Sequence, residues 1–308
     1  MSSDPWGDLA ASLVAVHEPF TRDSTIHQGF LPGSPAALEC ANEPFVDDWA
    51  TAPSRNANIT GMHLANVAMD HLAGLAVLLG TNSPVCIYGP SSMARSAIEV
   101  AARCYYLVEP GISPLERIRR HQSARLAGLW EQKKLAETMV SKGRVSVKLQ
   151  ESIEHLDRRM TTITDSAKRH GLAPRVKDKK RLPFLAGPGA TRPFSATDLV
   201  EDLVGKGNGL GTASYQTLSA VGHGRESGVI QYFTRRGALL DRTHGDVFGT
   251  IEASAQQTAL NLAAIPLAMF GMLDRLYTHF GWPSQDVGPA AKRLLQVWGR
   301  IAEIPIQR

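Results

Sequence analysis

Tyr215, Ser219 and His223, spaced by four residues, are the first place in this chain where chemistry could gather. At about 100° per residue, positions four apart on a helix differ by only ~40°, so two hydroxyls and an imidazole share one face. The surrounding helix is otherwise apolar, so these groups point where core residues are expected. His223 falls at the helix C-terminal end between Gly222 and Gly224, where the helix dipole favours the imidazolium form. A histidine placed there can serve as a general acid or base, or as a cation for a phosphate. The alternative is that the three side chains satisfy backbone groups at a helix end.

A second pattern is Arg95-x3-Glu99, on a helix whose Met93, Ala97, Ala101 and Cys104 surround the pair. Charges near an apolar face are costly unless paired, so these two must bond each other or a group arriving from elsewhere. Arg95 suits a carboxylate or phosphate, Glu99 and His223 suit proton exchange, and Tyr215 and Ser219 suit positioning of a substrate. A third pattern is the basic helix start Arg117, Arg119, Arg120, His121, followed by Arg125. Arg117 and Arg120 are further candidates to receive an anion, against the plainer reading of a solvated helix face.

Several chemistries lack their residues. His63, Asp70 and His71 share a helix, but neither HExxH nor a pair of Glu-x-x-His motifs is present, so no metal is expected. There is no GxxxxGK[ST], Gly207-x-Gly-x-Gly211 follows no convincing strand, and no Gly-x-Ser-x-Gly occurs, so no cofactor is expected either. Cys40, Cys86 and Cys104 form no CxxC pair. The start Met1-Ser-Ser-Asp-Pro lacks the pattern of a secretory leader. The longest apolar run, Leu262 to Leu273, is about half a bilayer span and contains Pro266. The expectation is a cytoplasmic protein without a membrane partner. A formal charge of +4 over 308 residues permits an anionic partner without demanding one.

The elements that must position these residues read as helices, and an all-α helical bundle with a protruding antiparallel helical hairpin is predicted. Residues 1–57 hold six prolines and read as irregular, with room for one short helix over 8–17. Residues 58–112 and 195–308 form the bundle body, with helices near 60–79, 91–108, 212–221, 249–280 (kinked at Pro266) and 289–302. Residues 113–170 form the inserted hairpin. Ser113-Pro114-Leu115-Glu116 opens it with a capping box, Ser141-Lys142-Gly143 makes its turn, and Gly171 closes it. Its partly apolar faces suggest that it leaves the body or pairs two copies into a homodimer. Residues 171–194, with four prolines and the basic run Lys177, Lys179, Lys180, Arg181, read as a mobile loop. Ser195 with Asp198 caps a short helix, Gly205 to Gly211 is a flexible loop, and Gly228 to Phe233 is the best strand candidate.

Arg95-Ser-Ala-Ile-Glu99-Val-Ala-Ala-Arg103, followed by Leu107, Pro110, Arg117 and Arg120, and later by Tyr215-x3-Ser219-x3-His223-Gly224, resembles a set of uncharacterised bacterial helical proteins grouped near the HEPN superfamily. The likeness covers residues 60–120 and 210–280. It implies a helical architecture. Active HEPN proteins are commonly metal-independent ribonucleases in which four to six residues separate an Arg from the His that follows it. Here Arg117–His121 and Arg275–His279 have three intervening residues, and no arginine precedes His223 at that distance. Three functions follow as expectations. The first is an enzyme acting on a small anionic substrate through His223, Glu99 and Arg95. The others are a HEPN-like ribonuclease or RNA-binding protein that holds RNA phosphate, and a non-catalytic protein that dimerises through 114–170.

Overall fold

In a computed structural model, the structure describes residues 4–43, 45, 49, 52–81, 87–143, 146–175, 182–187, 195–229, 232–240, 247–251 and 253–304. Side chains are described for these except at 229, 233–240 and 247–251. The protein is an all-α helical bundle. Its helices are α1 (Pro5–His27), α2 (Pro35–Ala41), α3 (Pro53–Gly80), α4 (Tyr88–Leu107), α5 (Pro114–Ser141), α6 (Val147–Arg169), α7 (Ala196–Val200), α8 (Leu210–Gly222), α9 (Glu226–Val229), α10 (Ala255–Asn261), α11 (Ala264–Phe280) and α12 (Val287–Ile301). Two small antiparallel pairs accompany them. These are β1 (Ala173–Arg175) with β2 (Phe184–Ala186), and β3 (Phe233–Leu240) with β4 (Val247–Ile251).

The chain divides into two compact units, one of residues 1–34, 61–108 and 195–308, the other of 35–60 and 109–194. In the first unit α12 packs on α1 and α11, and α4 packs on α11 and α8. The start of the chain is not irregular. Asp4 accepts the Trp6 N–H at 3.1 Å, and α1 then runs for 23 residues with Leu9, Leu13, Val16 and Phe20 buried along one stripe. The Trp298 indole donates to Ser12 at 3.1 Å, tying α12 to that stripe. Pro5, Pro35 and Pro53 are the first residues of α1, α2 and α3, positions where the missing N–H has no helical partner to lose. Three of the six prolines that read as breakers are therefore helix starts, and Pro19 lies within α1.

Other boundaries also shift. The 249–280 stretch is not one kinked helix. Residues 249–251 belong to β4, and α10 and α11 meet at a 48° bend ahead of Pro266. Pro266 is the third residue of α11, so the break comes before the ring can disrupt a formed ladder. Residues 226–229 are helical, and the strand begins at Phe233. The glycine loop is fastened: Glu201 accepts the Gly209 and Thr212 N–H groups, both at 2.7 Å. A π-helical turn, Glu201–Gly205, leads into it. A Cβ on Gly211 would stand 2.5 Å from the Val200 carbonyl oxygen, so this contact admits only glycine.

In the second unit α5 and α6 pair as the sequence predicts, capped by Ser113 and Ser146. Their facing sides have a core of their own, in which Ile118, Leu126, Leu156 and Ile163 pack with Trp49 and Leu185. Residues 171–194 are not a loop throughout. β1 and β2 pair, and Leu185 is fully buried, its N–H donating to Ser123 at 3.1 Å and its carbonyl accepting from Arg119 at 2.9 Å. The basic run at 177–181 lies outside the described residues.

Among the described residues α3 is the one helix long and apolar enough to cross a membrane, by length and composition. Its buried Ala57, Ala65, Ala68, Leu72, Leu75 and Leu79 fall on one stripe, the pattern of a core helix.

Candidate functional site

Arg95, Glu99 and Arg103 recur every fourth residue on α4, and Tyr215 and Ser219 do so on α8. The two stripes face each other. Arg95 Nε donates to Ser219 Oγ at 2.8 Å, and Arg95 Nη2 donates to the Tyr215 hydroxyl at 3.0 Å. The Tyr215 hydroxyl donates to Glu99 Oε2 at 2.7 Å, and Arg103 Nη2 donates to Glu99 Oε1 at 2.6 Å. Arg95 and Glu99 are also 3.7 Å apart, and the Arg95 guanidinium lies 5.1 Å from the Tyr215 ring centre. Position 95 meets 219, and 99 meets 215. Ser92 Oγ lies 3.2 Å from where a Gly222 Cβ would stand. The helices are therefore antiparallel, and Gly222 has no side chain to hold Ser92 off.

Tyr215 is buried, and burial, then its bond to Glu99, pushes its pKa above the ordinary phenol value. The phenol therefore stays protonated and acts as a donor to Glu99, not as a base. Both Glu99 oxygens accept hydrogen bonds, so its carboxylate ties Tyr215 on α8 to Arg103 on α4. Arg95 is different. Its side chain is 32% exposed, and Nη1 has no hydrogen-bond partner among the described residues.

His223 does not join this cluster. It ends α8, its backbone N–H donating to the Ser219 carbonyl at 3.1 Å, and its imidazole is exposed without a hydrogen bond to any described residue. It follows Gly222 and so lies at the Ser92 end of the seam.

Arg117 and Arg120 belong to the second unit and are neither a solvated face nor free to receive an anion. Arg117 is 1% exposed and forms a two-pronged bond to Glu39 at 2.9 and 3.0 Å, with the Glu109 carbonyl at 3.0 Å. Arg120 bonds Glu116 at 2.9 Å and Glu109 at 2.5 Å, and Arg119 also grips Glu116. Burial alone would raise the Glu116 pKa, but the hydrogen bonds and charges of Arg119 and Arg120 hold it below the usual carboxylate range. A buried guanidinium requires such partners. Arg103, which the motif contains but which is not among the candidate site residues, completes the α4 cluster, and its four-residue spacing from Glu99 is the signal for it.

His63, Asp70 and His71 do not gather: among the described residues no group of three or more His, Cys, Asp or Glu side chains is placed to hold a metal ion. No protein-family model, curated protein or solved structure matches this chain.

Proposed function

We propose that the chain binds a small anion, a phosphate or carboxylate, at the α4–α8 seam, with Arg95 as its anchor and His223 as the acid–base group of any reaction there. The observation that carries this is the Arg95 guanidinium itself. Ser219, Tyr215 and Glu99 fix its orientation, yet its side chain is partly exposed and Nη1 has no hydrogen-bond partner among the described residues. A fork held in place loses little side-chain freedom when an anion docks, and its planar geometry matches two oxygens at once. Glu99 then positions Arg95 and Tyr215 and does not itself exchange protons. A cytoplasmic setting goes with this reading.

The test is calorimetric titration of the full chain with inorganic phosphate and a nucleoside monophosphate. Saturable binding should weaken by about tenfold or more in Arg95→Lys, which keeps the charge and loses the fork. Equal affinity in that variant, or no binding to the parent, would sink the proposal. Any turnover of a bound ester should vanish in His223→Ala with helicity and melting unchanged. A short RNA in the same titration addresses the HEPN-like alternative, whose binding would fall steeply with salt.

A second reading, association of two copies through the α5–α6 hairpin, is favoured by a separate observation. Near their turn the two helices leave Leu135, Met139 and Val147 exposed, Val147 to 76%.

A further inference from the structure

Between α11 and the start of α12 lies a cavity of about 440 Å³, within the roughly 300–1,000 Å³ typical of small-molecule sites. Phe270 and Leu273 on α11 and Val287 on α12 give it an apolar wall. Tyr277 and Trp282 also line it, and their polar atoms are satisfied elsewhere. Tyr277 donates to Asp23 at 2.9 Å and Trp282 Nε1 to the Gly29 carbonyl at 2.6 Å. Ring surface is what they contribute to the cavity.

Two charges of opposite sign line the same cavity, Asp274 on α11 and Lys292 on α12. Both are exposed, and neither forms an ion pair or hydrogen bond with the other or with any described residue. Lys292 lies one turn beyond Gly288, in the opening turns of a 15-residue helix whose first turn has no side-chain cap. A Cβ on Gly288 would meet nothing within 4 Å, so there is open space beside it, while its N–H is given to the Ser284 carbonyl at 2.9 Å. The cavity thus offers an acid on α11, a base on α12 and apolar side chains lining the same space.

We propose that this cavity binds a small zwitterion of amino-acid type. The ammonium lies against Asp274, the carboxylate against Lys292, and the apolar side chain against Phe270, Leu273 and Val287. A simple anion would leave Asp274 opposed by like charge, a simple cation would do the same at Lys292, and a neutral apolar ligand would desolvate both without return. The proposal goes beyond the anion site at the α4–α8 seam and shares no residue with it.

Calorimetric titration of the full chain with L-leucine and L-phenylalanine, each also as its N-acetyl derivative and its amide, tests it. At least one free amino acid should bind saturably, and capping either end should weaken it by about tenfold or more. Asp274→Asn should weaken the free amino acid but not the N-acetyl form, which loses a repulsion, and Lys292→Met should weaken the free amino acid but not the amide, for the same reason. Both side chains are exposed, so the variants keep the fold, which circular dichroism verifies. Arg95→Lys should leave this binding untouched, so failure at the seam and failure here read separately. No saturable binding by any of these ligands, or equal binding of capped and free forms, overturns the proposal.

Discussion

At the scale of the residue, the Tyr215 hydroxyl is the hinge of the cluster, because among the described residues it alone touches both Arg95 and Glu99 from the opposite helix. Tyr215→Phe keeps the ring beneath Arg95 and removes one acceptor and one donor. Loss of about 1–2 kcal/mol is expected, since a bond to a charged group contributes more than a neutral one. A urea midpoint measurement checks it, and an unchanged midpoint would mean that these bonds are no better than those water supplies. The same variant should loosen Arg95 and weaken phosphate binding. Arg117 shows why residue type alone could not decide which arginine is free. Its carboxylate partner, Glu39, lies 78 residues away in the chain, and nothing in the local spacing announces it.

At the scale of the element, what was legible in the sequence is what is set locally. The Ser113 and Ser195 caps, the α5–α6 turn and the four-residue stripes on α4 and α8 each depend on neighbours within about one turn; Ser195 with Asp198 closes its full capping box, whereas at Ser113 only half of the expected box forms because the Glu116 carboxylate turns to Arg119 and Arg120. The convergence of Arg95, Glu99, Tyr215 and Ser219 follows from two such stripes facing one another, whereas the exposed position of His223 depends on where α8 ends. What escaped was set by tertiary burial. α1 continues through Pro19 because Val16 and Phe20 on either side of it remain buried. β1 and β2 form because Leu185 finds a seat on α5, not because of strand propensity. The α5–α6 turn carries the prediction at this scale. Leu135 and Met139 lie one turn apart on the same face, and Val147 opens α6 just beyond the turn, so three apolar side chains crowd one end of the hairpin. If two copies meet there, a Leu135→Glu, Val147→Glu double variant should sediment as a monomer with unchanged helicity where the parent sediments as a dimer. A parent that is already monomeric, or a variant that sediments identically, refutes association by this route.

At the scale of the whole molecule, acid stability should report on a group that no proposed site uses. His121 is 9% exposed; its Nε2 lies 3.1 Å from the Thr60 hydroxyl, and its Nδ1 is buried without a hydrogen-bond partner among the described residues. Burial, reinforced by the Arg125 charge, lowers its pKa from 6.5 to about 4. The unfolded chain therefore binds a proton at His121 between those two values while the folded chain does not. Stability is fully present above about pH 6.5 and is lost as pH falls toward 4, by up to about 3 kcal/mol if this group acts alone. Glu116, held low by Arg119 and Arg120, joins the loss only below the ordinary carboxylate pKa, so the interval from pH 6.5 to 5 separates the histidine from it, and the His121→Gln variant separates it from the other histidines. Urea midpoints measured across that interval should fall steadily in the parent and stay nearly flat in His121→Gln. Should the variant fold poorly, the parent's His121 ring resonances still decide the matter. They should not move until well below pH 5, and a midpoint near 6.5 would show that the ring is solvated and the slope belongs elsewhere.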